Sequence, residues 1–449
     1  MELKHPVADS KAGVKGKTEL KKVLGVAFGI AVLVGGTIGS GILRNPGTIA
    51  ELVNNYWLII ACWIFGGIYV LLGVSSYSEL ATMFPKAGGS YNYVKEAFGN
   101  YPGFLTGWYD FITNGIGPSY FCILIGEYFV LLFPFLTGYA TPIAIAFLIA
   151  FTLLHLTGVR TGSIAQQITS LIKVICFAVL IIACFVWTGT TMNNRQASFD
   201  IVVKGTVLLG FMRALQLVIG TYSGWNATCF FAEEDKNPSR NIPKSLFTGA
   251  IIVILIYVLV NMAFLHILPA SSLAGSPLAA SDVARVIFGD QGAVLVTVIA
   301  LFSIVSILNA YMMIPARILF GMSRDGFFVP QGAQVNRKGT PAFALIFSAL
   351  VNLTLISIGS FTTLFALAAF MSVAVFIFVY ASLLKLRKTM PDLPRPYRAW
   401  GFPYTTIFLI LISLGLFTAF AFSDPQNLLV ILAVTVLSYP AYILLHKGK

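Results

Sequence analysis

Two glycine-rich stretches place small and hydroxyl-bearing residues in the middle of long apolar runs. The first, GGTIGSGI, covers residues 35–42, and the second, GTYSGWN, covers residues 220–226. Each glycine costs about 1 kcal/mol relative to alanine inside a helix, so both stretches favour an interrupted helix. An interruption in an apolar environment exposes backbone N–H and C=O groups that must find partners. The chemistry these residues offer is therefore backbone binding of a polar ligand or ion.

The freed groups at the two stretches differ in polarity. The half-helix that follows the first stretch begins with Gly39, Ser40, Gly41 and Ile42. Its free N–H groups and the positive end of its dipole suit a carboxylate, and the Ser40 hydroxyl adds a donor. The carbonyl groups near Thr37, Gly220 and Ser223 present negative ends that suit an ammonium group. Gly224 and Asn226 lie at a similar depth. The pattern predicts a small zwitterion as ligand, which describes an α-amino acid.

A lysine stands at the centre of another apolar run. Lys173 occurs in SLIKVICF with about nine apolar or small residues on each side. A charge at the middle of a membrane span costs at least about 2.5–3.5 kcal/mol. Snorkelling to an interface is a weak alternative at this distance, so we expect Lys173 to be received inside a helix bundle.

The composition identifies the elements that must position these residues. The chain has 449 residues, of which 57% are hydrophobic and 10% charged, whereas soluble domains carry about 25% charged residues. Long uninterrupted apolar runs exclude the alternating pattern of a β-barrel. The sequence predicts an all-α integral membrane protein. Its five cysteines show no CxxC spacing and its four histidines are scattered, so we expect no metal, no cofactor and no enzyme active site; a membrane-embedded transferase is a distant alternative.

Twelve apolar stretches are long enough to cross a hydrocarbon core of about 30 Å. They cover roughly residues 23–50, 56–84, 101–133, 140–157, 163–188, 208–233, 245–268, 290–320, 341–358, 361–384, 402–422 and 427–446. With both termini in the cytoplasm, 23 of the 29 Lys and Arg residues lie on the cytoplasmic side and five outside, which the positive-inside rule favours. Residues 1–22 then form a cytoplasmic tail. The net charge of +12 follows from this topology and anionic lipid, so no nucleic-acid partner is expected.

The two interruptions fall in spans one and six. This order predicts two inverted five-helix repeats, residues 23–188 and 206–385, followed by two further helices in residues 401–446. Matching interrupted helices in two halves are typical of a midplane binding site in a secondary transporter. Close helix packing by small residues is the alternative explanation of either glycine cluster.

Four ordered stretches resemble a known family. They are GGTIGSGI, YSELATMFPKAGGSYNYVKEAFG, GWNATCFFAEEDKNPSRNIPKSL and NAYMMIPARILFGMSRDGFF. Together they resemble the amino acid–polyamine–organocation (APC) superfamily of transporters. The GWN sequence and the lysine in span five look most like its L-type amino acid transporter branch, here as a prokaryotic member.

The resemblance implies a LeuT-type fold of twelve transmembrane helices, with discontinuous helices one and six and with spans three, eight and ten completing the site. Ser40 and Gly41 would bind the carboxylate, and the carbonyls of Thr37, Gly220 and Ser223 the amino group. Tyr222 and Trp225 would border the side-chain pocket, one of them as an aromatic gate.

The resemblance also implies a role for Lys173. In sodium-independent members this lysine lies near spans one and eight, where relatives bind sodium, and Ser303 and Ser306 are its candidate neighbours. Lys173 is then either a fixed cation, which suits obligatory exchange, or the carrier of a coupled proton, which suits symport. We favour exchange because the branch resemblance points to it.

Substrate and partners follow from the remaining residues. Asn114 in span three is a candidate for the side-chain pocket. No acidic residue is placed clearly in that pocket, so neutral L-amino acids are expected; Asp110 is the residue that could instead favour cationic amino acids or polyamines. The external loop around Thr137 and Tyr139 has no cysteine. Because animal members of the branch use such a cysteine, we expect no disulfide-linked heavy chain, and a chain working alone in a prokaryotic inner (plasma) membrane.

Overall fold

A computed structural model describes residues 19–39, 41–189, 205–276, 278–359 and 361–446. Over these residues the chain is helical and contains no strand. The α-helices are α1 Val26–Thr37, α2 Gly41–Val53, α3 Tyr56–Met83, α4 Ser90–Phe98, α5 Asn100–Gly115, α6 Gly117–Leu132, α7 Ala140–Leu156, α8 Val159–Val186, α9 Gly205–Thr221, α10 Pro238–Ile267, α11 Ala270–Leu273, α12 Ala279–Phe288, α13 Gln291–Arg324, α14 Ala342–Ile358, α15 Phe361–Thr389, α16 Tyr404–Ser423 and α17 Pro425–His446. Short 3₁₀ helices cover Pro134–Leu136, Ala227–Glu234 and Pro330–Ala333.

Most of the long helices meet the requirements of a membrane span. In the described part of the chain, eight are long and apolar enough, counting α5 with α6, and α1 with α2 qualifies as a bent pair. The apolar helices α7 and α14 are shorter, with 17 residues each. On α8, the side chains of Leu171, Ile175, Val179 and Ile182 are exposed along one face, as expected where lipid replaces water. The prediction of an all-helical, multi-pass membrane protein is confirmed.

Both predicted interruptions are present. Helix α1 ends at Thr37, and the axis bends by 44° before α2 begins at Gly41. Helix α9 ends at Thr221, and Gly224 has a φ of +98°, a left-handed conformation that favours glycine. A 3₁₀ helix then replaces the α-helix from Ala227.

The two breaks face each other directly. A Cβ atom at Gly224 would lie 2.6 Å from the Gly36 carbonyl oxygen, so a side chain at this position would collide with the backbone of the first break. Glycine at position 224 therefore lets the two unwound segments touch at mid-depth.

On the face where the N-terminal segment lies, called here the N-terminal face, the segments leading into the two breaks are joined. The backbone N–H groups of Val23 and Leu24 both donate to the Glu234 carbonyl at 3.0 Å, and the Lys236 N–H donates to Leu24 O at 3.1 Å. The Thr228 hydroxyl donates to Gly29 O at 2.8 Å. Helix α1 and residues 227–236 thus pack as one unit.

An ion pair anchors this unit to α13. The Arg317 guanidinium donates to both carboxylate oxygens of Glu234 at 2.9 and 3.3 Å, and the two side chains are 2% and 0% exposed. The Arg317 guanidinium also lies over the Phe231 ring, 5.3 Å from its centroid. These contacts join residues 227–236 to α13 at the N-terminal face of the bundle.

Candidate functional site

A cavity of about 50 Å³ lies between the two breaks. This volume exceeds the roughly 10–15 Å³ that one water molecule requires, so it can take a small ligand. Of the residues predicted to bind, five line the cavity: Thr37, Gly39, Gly41, Gly220 and Ser223. Ser40 lies outside the described residues.

The other predicted residues do not line this cavity. Ile42 is fully buried, and Gly224 contacts the first break. The Asn114 amide donates to the Asp110 carbonyl at 2.9 Å within its own helix. Tyr222, Trp225 and Asn226 are also absent from the cavity wall.

The remaining wall comes from α5, α6, α13 and α15. Its residues are Thr113, Tyr120, Phe121, Ile307, Tyr311, Phe365, Ala368, Ala369 and Ser372, together with Gly36 and Thr221 at the breaks. These helices correspond to the predicted spans three, eight and ten. The individual residues were missed because an apolar or aromatic side chain in a long apolar run does not reveal which way it points.

The N-terminal end of α2 supplies donors to this cavity. The first N–H groups of a helix have no intrahelical acceptor, and Gly41 at that position lines the cavity. A Cβ atom on Gly41 would lie 3.1 Å from Thr221 Cγ2, so the second break closely approaches the first there. The Asn45 amide donates to the Thr221 hydroxyl at 2.6 Å and holds the two together.

The Tyr257 hydroxyl lies between the last carbonyls of the two broken helices. It is 2.8 Å from Thr37 O and 3.0 Å from Thr221 O. A hydroxyl has one hydrogen, so it satisfies one of these carbonyls fully at any time. No feature of the sequence pointed to Tyr257, because a tyrosine in an apolar span is more often a packing residue.

Two hydroxyls in the cavity wall have no partner among the described residues. They are Thr37 Oγ1 and Thr113 Oγ1. Since buried hydroxyls without a partner are costly, they provide contacts that a polar ligand can satisfy. Within the same described residues, no group of three His, Cys, Asp or Glu side chains is placed to hold a metal ion.

Lys173 reaches the first break from α8. Its ammonium donates to Gly35 O at 2.9 Å and to Ile38 O at 2.5 Å, and the side chain is 1% exposed. The Ser303 hydroxyl donates to the same Ile38 carbonyl at 3.0 Å. Ser306 lies 3.3 Å from the Ser170 hydroxyl. The structure therefore brings the three predicted residues Lys173, Ser303 and Ser306 to the region between α1, α8 and α13.

A polar network that the sequence did not predict extends from this lysine toward the N-terminal face. The Gln166 amide donates to Ala31 O at 3.2 Å, and Ser170 donates to the same carbonyl at 2.8 Å. Asn309 donates to Gln166 Oε1 at 2.7 Å. A Cβ atom on Gly35 would collide with the Gln166 and Ser170 side chains, which explains why glycine is needed there.

The two predicted aromatic residues pack on different neighbours. The Tyr222 hydroxyl donates to Trp63 O at 3.2 Å, and its ring centroid is 4.8 Å from that of Tyr257. The Trp225 ring packs against Tyr77 at 4.9 Å and Phe376 at 5.5 Å. Trp225 also lies beside Gly73, where a Cβ atom would be 3.0 Å from the indole ring, so it packs against the second half of α3.

Comparisons with known proteins agree with these observations. A family model described as amino acid permease matches residues 21–440. The serine/threonine exchanger SteT of Bacillus subtilis is 27% identical over 437 residues, which cover 96% of this chain and 98% of the relative. The b(0,+)-type amino acid transporter 1 of Mus musculus is 30% identical over 425 residues, 91% of this chain and 84% of the relative. The large neutral amino acids transporter small subunit 2 of Mus musculus is 28% identical over 475 residues, which cover 99% of this chain and 85% of the relative.

Proposed function

This chain belongs to the amino acid permease family, and from that premise we propose that it is a sodium-independent exchanger of neutral L-amino acids that works by alternating access. The observation that carries the proposal is the meeting of two broken helices at Gly36 and Gly224 beside a small cavity. The similar proteins named above are transporters rather than enzymes, and one is named as an exchanger.

The proposed fold is the LeuT-type arrangement of twelve transmembrane helices. The order of the helices supports it, since a helix lies at each of the twelve predicted stretches and the interruptions fall in the first and sixth. Helices from α1 to α8 would form one repeat, helices from α9 to α15 its inverted copy, and α16 and α17 the two additional spans.

The proposed ligand contacts follow from the polarity of the breaks. The free N–H groups at Gly39, Ser40, Gly41 and Ile42 would bind the substrate carboxylate. The carbonyls of Thr37, Gly220 and Ser223 would accept from its ammonium group. Because the Tyr257 hydroxyl cannot fully satisfy Thr37 and Thr221 together, a carbonyl remains available to the ligand.

The size of the cavity favours a small side chain. The small cavity, about 50 Å³, together with the similarity to a serine/threonine exchanger, supports a small neutral amino acid such as serine, threonine or alanine over an aromatic one. The predicted residues that do not line the cavity would then act from behind its wall or in another state of the transport cycle. They are Tyr222, Gly224, Trp225, Asn226 and Asn114. Trp225 would be the aromatic gate.

Lys173 would act as a fixed cation rather than a proton carrier. Two carbonyl acceptors within 2.9 Å suit a charged ammonium and stabilise the end of α1. Ser303 and Ser306 would complete this coupling region. Proton-coupled symport through Lys173 is the second candidate, which the burial of this lysine at the break favours.

The proposed orientation places both termini in the cytoplasm of a prokaryotic cell and the chain in its plasma membrane. The asymmetry of Lys and Arg supports this orientation. No disulfide-linked heavy chain is proposed, because all five cysteines lie in helical segments and none follows Pro134–Leu136 in the loop to α7.

Uptake of labelled serine into proteoliposomes tests the proposal. Uptake should require internal amino acid, should persist when sodium is replaced by choline, and should not follow a pH gradient. Accumulation driven by a pH gradient without internal amino acid would instead establish symport. No uptake of any neutral amino acid under either condition would refute both.

A further inference from the structure

Four buried oxygen atoms near the cavity make no well-aligned hydrogen bond among the described residues. They are Asp110 Oδ2 on α5, the Tyr77 hydroxyl on α3, and the Tyr93 hydroxyl and Ser90 Oγ on α4. Asp110 is 3% exposed and the other three are fully buried. Ser90 is within reach of Asp110 and Tyr77, and Tyr93 is within reach of Cys229, but poorly aligned contacts satisfy buried oxygens only in part, so the group can still receive a polar ligand.

The four groups form one cluster. The rings of Tyr77 and Tyr93 are perpendicular, with centroids 6.3 Å apart. The Ser90 side chain interacts with both Asp110 and Tyr77, and Tyr93 interacts with Asp110. The cluster therefore joins three helices at a common point.

The cluster lies between the cavity and the N-terminal face. Asp110 precedes Thr113, a cavity residue, by three residues, which corresponds to about 4.5 Å along α5 toward its N-terminal end. Tyr77 lies six residues before Met83, the last residue of α3. Trp225 packs on Tyr77 at 4.9 Å, two residues after Ser223 of the cavity wall.

The cluster can be satisfied by one positive charge, which is either a proton on Asp110 or the cationic group of a ligand. It offers a carboxylate and three hydroxyls, and none of the ion pairs within the described residues involves Asp110. A carboxylate buried without a counter-charge is strongly unfavourable. Several oxygens around one carboxylate suit a primary ammonium group, which carries three donors.

We propose that Asp110, Tyr77, Tyr93 and Ser90 form a second subsite that binds the ammonium group of an amino acid travelling between the central cavity and the cytoplasm. The proposal rests on the proposed function and extends it. Because the subsite lies on one side of the cavity, it contacts substrate that enters or leaves through the cytoplasmic side and does not contact substrate arriving from outside.

Sided exchange kinetics test the subsite. Transporter inserted in one orientation in proteoliposomes would exchange serine, with the rate measured against internal and external serine separately. Asp110→Asn keeps the shape and loses the charge, so the internal KM should rise about tenfold or more, as for one lost charge-assisted contact, while the external KM is unchanged. Tyr77→Phe retains the ring and should raise the internal KM by a smaller factor.

Tyr109→Phe is the matched control. Tyr109 is the buried neighbour of Asp110 in the chain, but its hydroxyl pairs with Thr435 on α17. Both KM values should stay at the wild-type level in this variant.

Several results would overturn the subsite. An unchanged internal KM in Asp110→Asn and Tyr77→Phe would mean that the cluster holds only water. An equal rise of both KM values would mean a structural role. A wild-type internal KM that changes when internal potassium or sodium is replaced by choline would assign the cluster to a metal cation.

The outcomes also separate the subsite from the proposed function. If Asp110→Asn does not fold, Tyr77→Phe alone decides, because its ring packing is preserved. Wild-type exchange without a sided effect rejects the subsite and leaves the proposed function intact. If the wild type exchanges no amino acid, the subsite and the proposed function are both rejected.

Discussion

At the scale of single residues, the site depends on backbone groups more than on side chains. Lys173 illustrates this, because its ammonium contacts two carbonyls at the end of α1 and, among the described residues, no carboxylate. Its charge compensates for helical hydrogen bonds that the break removes. Lys173 therefore stabilises the break after α1, and we expect it to affect the movement of the helices on either side of that break.

Replacing Lys173 by alanine should reduce exchange turnover by about tenfold or more, since the Gly35 carbonyl is left unsatisfied at a cost of about 1–3 kcal/mol and Ile38 O keeps only the Ser303 hydroxyl. Initial rates of serine exchange in proteoliposomes measure the effect. Thr169→Ala on the same helix is the control, because that hydroxyl bonds its own helix at Ala165 O. Wild-type turnover in Lys173→Ala would remove the proposed role.

A bulky residue at Gly41 should abolish binding. In Gly41→Val the added atoms enter the space between α2 and Thr221, where a Cβ atom alone would already lie 3.1 Å from Thr221 Cγ2. Isothermal titration with serine measures the loss. Gly415→Val on α16 is the matched control, because nothing lies within 4 Å of its Cβ position. Retained affinity in Gly41→Val would place the ligand elsewhere.

At the scale of elements, the informative feature is the pairing of two interrupted helices. Tyr257 on α10 contacts the last carbonyl of each one. The contacts of this third helix therefore depend on the distance between the two breaks. This arrangement couples the shape of the cavity to a continuous span that does not itself unwind.

Tyr257→Phe should therefore weaken serine binding by about tenfold, because the hydroxyl that holds the last carbonyls of the two broken helices at a fixed separation is lost. Tyr69→Phe is a suitable control, because the Tyr69 hydroxyl pairs with Ser413 at 2.9 Å away from the breaks. An affinity equal to or tighter than that of the wild type would show that the ligand alone satisfies the two carbonyls.

The sequence predicted the elements of the site better than their contacts. Glycine clusters revealed both breaks, because glycine is costly within a helix and its position is visible in the chain. The partners of the breaks were missed: Tyr257, Gln166 and Asn309 are single polar residues in apolar spans. Their orientation depends on helix rotation and packing, which are set by neighbouring helices and are not encoded in local composition.

At the scale of the whole molecule, apolar composition and the length of the apolar stretches were enough to predict a helical membrane protein. The boundaries of the helices follow the predicted stretches closely, as for α3 and α7. The charged residues of the N-terminal face were harder to interpret. Glu234 lies near the end of a span and its pairing with Arg317, 83 residues away in the chain, depends on the tertiary fold.

Arg317→Ala should lower the free energy of unfolding by about 3–5 kcal/mol, because it leaves the Glu234 carboxylate buried without a partner. Thermal unfolding of the purified protein in detergent measures the loss, which the double variant Arg317→Met with Glu234→Gln should partly restore. Arg285→Ala is the control: that arginine is 58% exposed, 3.9 Å from Asp282, and its removal should leave stability unchanged. A midpoint for Arg317→Ala equal to that of the control would exclude this role for the pair.

The hydrogen bonds that join Val23 and Leu24 to Glu234, and Thr228 to Gly29, have a mechanical consequence. They join α1 and residues 227–236 into one unit, and each of the two segments ends at one of the breaks. If the proposed function holds, a ligand that restricts either break would restrict both segments together. Occupancy of the cavity would then reach the N-terminal face through backbone hydrogen bonds, without a separate relay of side chains.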